Sequence, residues 1–240
     1  MRLALLALAG LAASPPATAQ GVAAGPAAQP GRERAGADFG GERRSDDARA
    51  VGDWIVRSGD NAGLAFVIVD KLDAKVFVFD ARGRLKGASP ALLGLGPGDE
   101  TVPGIGARRL ATIRAEERTT PAGRFVAALG HDLEQDVLWI DYDSAVSLHR
   151  VIAGRPEERR SERLKSPSAL DRRISYGCIN VPPEFYDRMI ISAFLGTVGI
   201  VYILPETKAV GAVFGISGSS TATAGPRYPR LEDSRARTDR

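Results

Sequence analysis

Two runs of β-branched and aromatic residues, Leu64-Ala65-Phe66-Val67-Ile68-Val69-Asp70 and Lys75-Val76-Phe77-Val78-Phe79-Asp80, constrain what this chain can fold into more than any other feature. Such residues fit a pleated surface. With only Lys71-Leu72-Asp73-Ala74 between them, the two runs predict a β-hairpin. Ala81-Arg82-Gly83-Arg84 supplies the next turn signal, and an apolar segment broken by Gly and Pro continues to Leu95. Strand-like segments recur over residues 124–129, 137–142, 146–151 and 198–204. Six or more short strands with turn punctuation predict a mainly β domain. One helix is clear. Pro182-Pro183 fixes its start, and Phe185, Tyr186, Met189, Ile190, Ala193 and Phe194 recur at helical spacing until Gly196.

The flanks set the limits of that domain. Met1-Arg2 gives a positive start, Leu3 to Ala13 an apolar run, and Ala17-Thr18-Ala19 an A-x-A site, which predicts a signal peptide over 1–19. The mature protein is then expected in the periplasm or cell envelope. The apolar run falls short of the roughly 20 residues a membrane span needs, and no other stretch approaches it, so no transmembrane segment is expected after cleavage. Residues 20–50, rich in Ala, Gly, Pro, Arg and Asp with Phe39 as the large apolar exception, read as a disordered linker. Residues 206–240 read as a low-complexity tail, apolar over 209–216 and then dissolving into Ser, Thr, Ala, Gly, Arg and Asp. A single domain of ordinary size remains at 51–205. The net charge of +3 permits contact with anionic polymers. Without a compact basic and aromatic patch, it gives no reason to expect nucleic acid.

The single cysteine carries the chemistry. Cys178 stands in Arg173-Ile174-Ser175-Tyr176-Gly177-Cys178-Ile179-Asn180-Val181-Pro182 and has no partner cysteine in its chain. For an exported protein it is a free reactive thiol, an intermolecular bridge, or a small buried hydrophobe. One Cys with His131 and His149 fits none of the usual zinc spacings, so no metal site is expected. A nucleophilic thiol needs a base. His149 lies in the strand-like run Ala145 to Arg150, on one face with Ser147, whereas His131 follows Gly130 in a turn-like setting. A strand holds a base more firmly, which favours His149, although a structural histidine fits the same local context. The helix start beyond Cys178 adds a minor pull toward the thiolate.

Ser175-Tyr176-Gly177-Cys178-Ile179-Asn180 resembles the signature of the L,D-transpeptidase (YkuD-like) catalytic domain: Ser or Thr, His, Gly, Cys, a hydrophobic residue, then Asn or Arg. The opening strands over 67–80, Thr119-Thr120-Pro121-Ala122-Gly123-Arg124-Phe125, and Ser147-Leu148-His149 resemble further family segments in order, so the likeness covers roughly 64–204. It implies a β-sandwich of mixed strands with the helix following the catalytic cysteine. It also implies Cys178 as nucleophile, His149 as base, and backbone N–H groups of Tyr176, Gly177 and Cys178 facing an oxyanion. Ser175 belongs to the same motif, and Asn180 either binds substrate or serves turn chemistry before Pro182. The implied donor is a peptidoglycan stem peptide, and the acceptor is a stem amine or a lysine of an envelope protein. With water as acceptor the same site is a carboxypeptidase or amidase. A silent peptidoglycan-binding module is the alternative of another class. Thiol, imidazole and backbone donors suffice for acyl transfer, so no cofactor is expected.

Two features depart from the family pattern. Tyr176 stands where histidine is usual, and His149 precedes Cys178 by 29 positions, longer than is usual. The excess falls in the charged stretch 154–165, which reads either as a basic lid over the cleft or, with Glu157, Glu158 and Glu162 offsetting its arginines, as a solvated surface loop.

Overall fold

The computed structural model describes residues 36–132 and 135–216. The expected signal peptide, residues 20–35 of the expected linker and residues 217–240 of the expected tail lie outside the described residues. The chain enters the fold through helix α1 (Asp46–Ser58), a segment with clear end signals. The Ser45 hydroxyl accepts from Ala48 N–H, Asp46 and Asp47 occupy the first turn, and Gly59 closes the helix at φ 72°. The expected hairpin follows as β1 (Phe66–Asp70) and β2 (Lys75–Phe79), antiparallel from Phe66↔Phe79 to Asp70↔Lys75. Next come β3 (Leu85–Pro90), β4 (Leu93–Gly94), β5 (Gly123–Asp132), β6 (Gln135–Asp141) and β7 (Val146–Arg150). Short helix α2 (Arg160–Lys165) leads to β8 (Arg173–Ser175) and β9 (Ile179–Val181). The expected helix, α3, is continuous through Pro183–Phe185, a π turn at Tyr186–Ile190, and Ile191–Phe194. Strand β10 (Val198–Ile203) and helix α4 (Val210–Phe214) complete the described chain.

Eight strands form one mixed sheet in the order β3-β2-β1-β10-β5-β6-β7-β9, and β4 pairs with β8 apart from it. The mainly β class therefore holds. Alternation divides the side chains between two faces. One face carries Val67, Val69, Val76, Ala127, Leu138, Leu148, Ile179 and Val201, packed under Tyr186, Ile190 and Phe194 of α3. The other carries Phe66, Ile68, Phe77, Phe79, Ile200 and Tyr202, packed under Val51 and Ile55 of α1 and Val210 and Phe214 of α4. Burial of each such side chain favours folding by about 1.5 to 3 kcal/mol, so these two layers are the main driving force.

The second face continues beyond its helical cover. Ile200 pairs with Val126, Ala128 with Trp139, Trp139 with Ser147, and His149 with Asn180. Cross-strand partners share a face, so this row leads from the α1 and α4 layer to the motif strand β9. Val126 is 59% exposed, which marks where the cover ends.

Both domain edges differ from the sequence expectation. The domain begins before residue 51: Phe39 is buried edge-on against Phe77 and Phe79, and Ala48, Val51 and Ile55 form the inner stripe of α1. One aromatic and a stripe of small apolar residues suffice because the sheet supplies the rest of the surface. The domain also extends past residue 205. Glu206 is buried beside Arg173, and Asp99 accepts from the backbone N–H groups of Glu206, Thr207 and Lys208. These bonds hold the start of the expected tail and let α4 reach the sheet.

Candidate active site

Cys178, Ser147 and His149 come together because β7 and β9 are parallel neighbours with Leu148↔Ile179 and His149↔Asn180 in register. Leu148 and Ile179 point into the core, which turns Ser147, His149, Cys178 and Asn180 to the opposite face. The two strands need no local contact in sequence. The 154–165 stretch lies in the connection between them, and the sheet closes the gap.

The half-buried Cys178 Sγ lies 3.6 Å from both the Ser147 hydroxyl and the Ala145 carbonyl. Burial pushes the thiol up. The hydrogen bond and charge of His149, with the backbone and hydroxyl of Ser147, more than offset that, and the thiol ionises below the ordinary cysteine range. For His149 burial favours the neutral ring, yet the hydrogen bond and charge of Cys178 outweigh it and hold the imidazole above its ordinary value. Cysteine and histidine therefore stabilise each other as thiolate and imidazolium. His149 Nδ1 is 2.8 Å from the Arg150 carbonyl, and Nε2 is 2.9 Å from Asn180 Nδ2.

The rest of the motif shapes the turn. The Ser175 hydroxyl accepts from Gly177 N–H at 3.1 Å and donates to the Cys178 carbonyl at 2.6 Å, stapling the turn from inside. Gly177 has φ 132°, and its carbonyl accepts from the Thr120 hydroxyl at 2.8 Å. A Cβ at Gly177 would sit 2.9 Å from the Thr119 carbonyl oxygen, so this close approach requires glycine. Thr120 also accepts from Gly94 N–H, which ties the Thr119-Thr120-Pro121 segment to both β4 and the cysteine turn. Replacing Gly177 with Ala is expected to lower unfolding free energy by about 1 to 3 kcal/mol and to slow Cys178 alkylation, as measured by chemical denaturation and by thiol-reaction rate.

Asn180 is 1% exposed with both ends of its amide engaged, the second by Arg160 Nη1 at 3.1 Å. Its side chain is turned toward the dyad, and no side-chain cap is made at the start of α3. Tyr176 is half-buried, with the Arg118 guanidinium 3.9 Å above its ring. His131 is exposed at the end of β5. Alternation places it on the face away from Cys178. Within the 154–165 stretch, Pro156–Glu158 form a 3-10 turn and Arg160–Lys165 form α2, with Arg160 and Leu164 buried.

Sequence reading passed over Ser147, Thr120, Arg118 and Arg160. Ser147 carried a signal, standing two residues before His149 on the same strand face, and Thr120 lay inside a recognised segment. Nothing local singles out Arg160 among the arginines around it. Trp139 and Tyr142, stacked at 4.8 Å, border the site through Ser147, the strand partner of Trp139. Among the described residues no helix is long and apolar enough to cross a membrane.

No family model matches the sequence, and no curated protein matches it. Solved structures do. The helical cell shape determining protein Pgp2 from Campylobacter jejuni is 14% identical over 60% of this chain and 49% of its own, with a TM-score of 0.39. An L,D-transpeptidase from Xylanimonas cellulosilytica is 14% identical over 58% of this chain and 60% of its own, at 0.36. The catalytic domain of the E. faecium L,D-transpeptidase is 16% identical over 58% of this chain and 96% of its own, at 0.36. This chain spans about half to three-fifths of the length of the first two. The mainly β class, with one large mixed sheet and few helices, rests on this chain's own strands.

Proposed function

We propose that the protein is an exported cysteine acyltransferase acting on peptidoglycan stem peptides, with Cys178 as nucleophile and His149 as its base. The observation that carries this reading is the parallel register of β7 with β9, which sets His149 beside the cysteine turn, and His149 is among the groups that draw the thiol below its ordinary range. An inert buried cysteine would be pushed the other way.

The chemistry follows from the groups present. His149 takes the thiol proton, and the thiolate attacks the carbonyl carbon of the stem's third residue. The carbonyl electrons move to oxygen. Gly177 N–H is occupied by Ser175, so the N–H groups of Tyr176 and Cys178 are the candidates to face that oxyanion. The intermediate then collapses, the C–N bond breaks, and the terminal D-alanine leaves as its amine accepts the proton from His149. A thioester remains on Cys178. An acceptor amine, from a neighbouring stem or an envelope-protein lysine, attacks it and frees the thiol. Water in the same place gives hydrolysis instead. Arg118, resting on Tyr176 beside the cysteine turn, adds a positive charge that suits the carboxylates of a stem peptide.

Incubation with tetrapeptide-stem muropeptides is expected to release D-alanine. Intact-mass measurement is expected to find Cys178 acylated, by the stem peptide and by a carbapenem. A protein that binds the muropeptides with no acyl adduct and no D-alanine release would instead be a binding module, and a disulfide-linked dimer on non-reducing gels would mark a bridging thiol.

A further inference from the structure

Arg160 belongs to the 154–165 stretch, yet its side chain is 9% exposed. Its Nη1 donates to Asn180 Oδ1 at 3.1 Å and its Nε to Glu158 Oε2 at 2.6 Å. A turn built around that ion pair presents it. Gly154 has φ 64°, and a Cβ there would lie 2.4 Å from Glu158 Oε2 and 2.7 Å from Arg160 Nε.

The donor pattern fixes the orientation of every group between Arg160 and the thiol. A guanidinium only donates, so Asn180 presents its oxygen to Arg160 and its NH2 to His149. A carbonyl only accepts, so His149 carries its proton on Nδ1, facing the Arg150 carbonyl, and its lone pair on Nε2. That lone pair is the acceptor the neutral ring has left for a proton, and Asn180 already donates to it.

We propose that Arg160 is a positioning residue which, by orienting the Asn180 amide, favours the neutral Nδ1–H form of His149 over its imidazolium and so restrains ionisation of Cys178. This inference rests on the reading of Cys178 and His149 as a working dyad. A protonated Nε2 would face the Asn180 NH2 donor to donor. Turning the amide over would set that NH2 against the Arg160 guanidinium instead. The charged groups bearing on His149 are Cys178 from the turn before β9, which favours the imidazolium, and Arg160 from α2, which opposes it and is itself partly offset by Glu158. Arg160 thus works against the mutual stabilisation of the dyad.

The test combines histidine ring 15N NMR on the intact protein with the pH profile of Cys178 alkylation by iodoacetamide. His131 is the only other histidine in the chain, so the two ring signals can be separated by His131→Gln. The neutral His149 ring is expected as the Nδ1–H tautomer. Arg160→Met is expected to raise the alkylation rate at about pH 5.5 by roughly two- to tenfold and to leave it unchanged at about pH 10, the range one lost hydrogen bond supplies. Asn180→Ala is expected to do the same, and Arg160→Met is expected to add less in the Asn180→Ala background. An Nε2–H tautomer in the unaltered protein overturns the inference, and that measurement stands even where Arg160→Met fails to fold. A folded Arg160→Met or Arg160→Gln with an unchanged profile overturns it too. If His149→Ala moves the profile while Arg160→Met does not, only this inference fails. If His149→Ala also leaves the profile unchanged, the dyad reading falls with it.

Discussion

Replacing His149 with Ala is expected to cut acyl transfer by about a hundredfold to ten-thousandfold, the usual worth of a positioned general base. It is also expected to move the alkylation limb of Cys178 toward alkaline pH. The sign follows from the opposing causes at the thiol. Burial raises its pKa, and the hydrogen bond and charge of His149 are the first of the groups that lower it. With the imidazole gone the burial cost remains, so a smaller fraction of thiolate exists at neutral pH. Cys178→Ala removes the covalent route and is expected to abolish D-alanine release outright. Groups that act as a unit lose their effect together, so Cys178→Ala combined with His149→Ala is expected to be no worse than Cys178→Ala alone. D-alanine release and the alkylation profile, measured on the same preparations, check the two halves of this expectation. Unchanged rate and profile in His149→Ala would exclude it as the base.

The elements that form this site differ in how far local sequence specifies them. The β1–β2 hairpin was legible because both strands are covered on both faces, and such strands read as near-continuous apolar runs. Strand β7 was legible for the opposite reason: Val146 and Leu148 enter the core while Ser147 and His149 leave it. That alternation placed His149 on a usable face before any neighbour was known. Helix α1 escaped because Ala48, Val51, Gly52 and Ile55 form a stripe of small and medium residues among charges, and its partners Phe66 and Phe79 come from strands that follow it in the chain. Arg160 escaped for a stronger reason. A mixed-charge stretch is a solvated surface on average, and only the three-dimensional approach of Asn180, 20 positions away, distinguishes this arginine from its neighbours. Composition describes the stretch, whereas one long-range hydrogen bond sets the surroundings of a member of it.

Lys71→Met is expected to destabilise the protein by about 3 to 5 kcal/mol, the cost of removing one partner from a buried ion pair. Lys71 follows β1 in the hairpin turn and is fully buried. Its Nζ donates to the Gly98 carbonyl at 2.6 Å, to Asp99 at 2.8 Å and to the Thr120 carbonyl at 2.9 Å, with Glu206 3.7 Å away. Met fills much the same volume, so the loss is electrostatic: it strips cationic compensation from two buried carboxylates. Asp99 has burial raising its pKa, but Lys71 and the donors of Glu206 and Thr207 bring it down to about 2. Its contribution to stability is therefore full above the ordinary carboxylate range, near pH 4, and is lost as pH falls through about 2. Without Lys71 that acid transition is expected to begin at higher pH, which denaturation at a series of pH values measures directly. Lys208→Ala, which breaks an exposed ion pair to Glu100, is the control and is expected to leave stability essentially unchanged, since solvent screens such pairs. The two variants should also differ at the thiol. The cluster holds Thr120, whose hydroxyl binds the Gly177 carbonyl, and Arg173, which opens the strand leading to Cys178. Cys178 alkylation is therefore expected to change in folded Lys71→Met and to stay as it was in Lys208→Ala, because the buried charges hold the floor on which the cysteine turn rests.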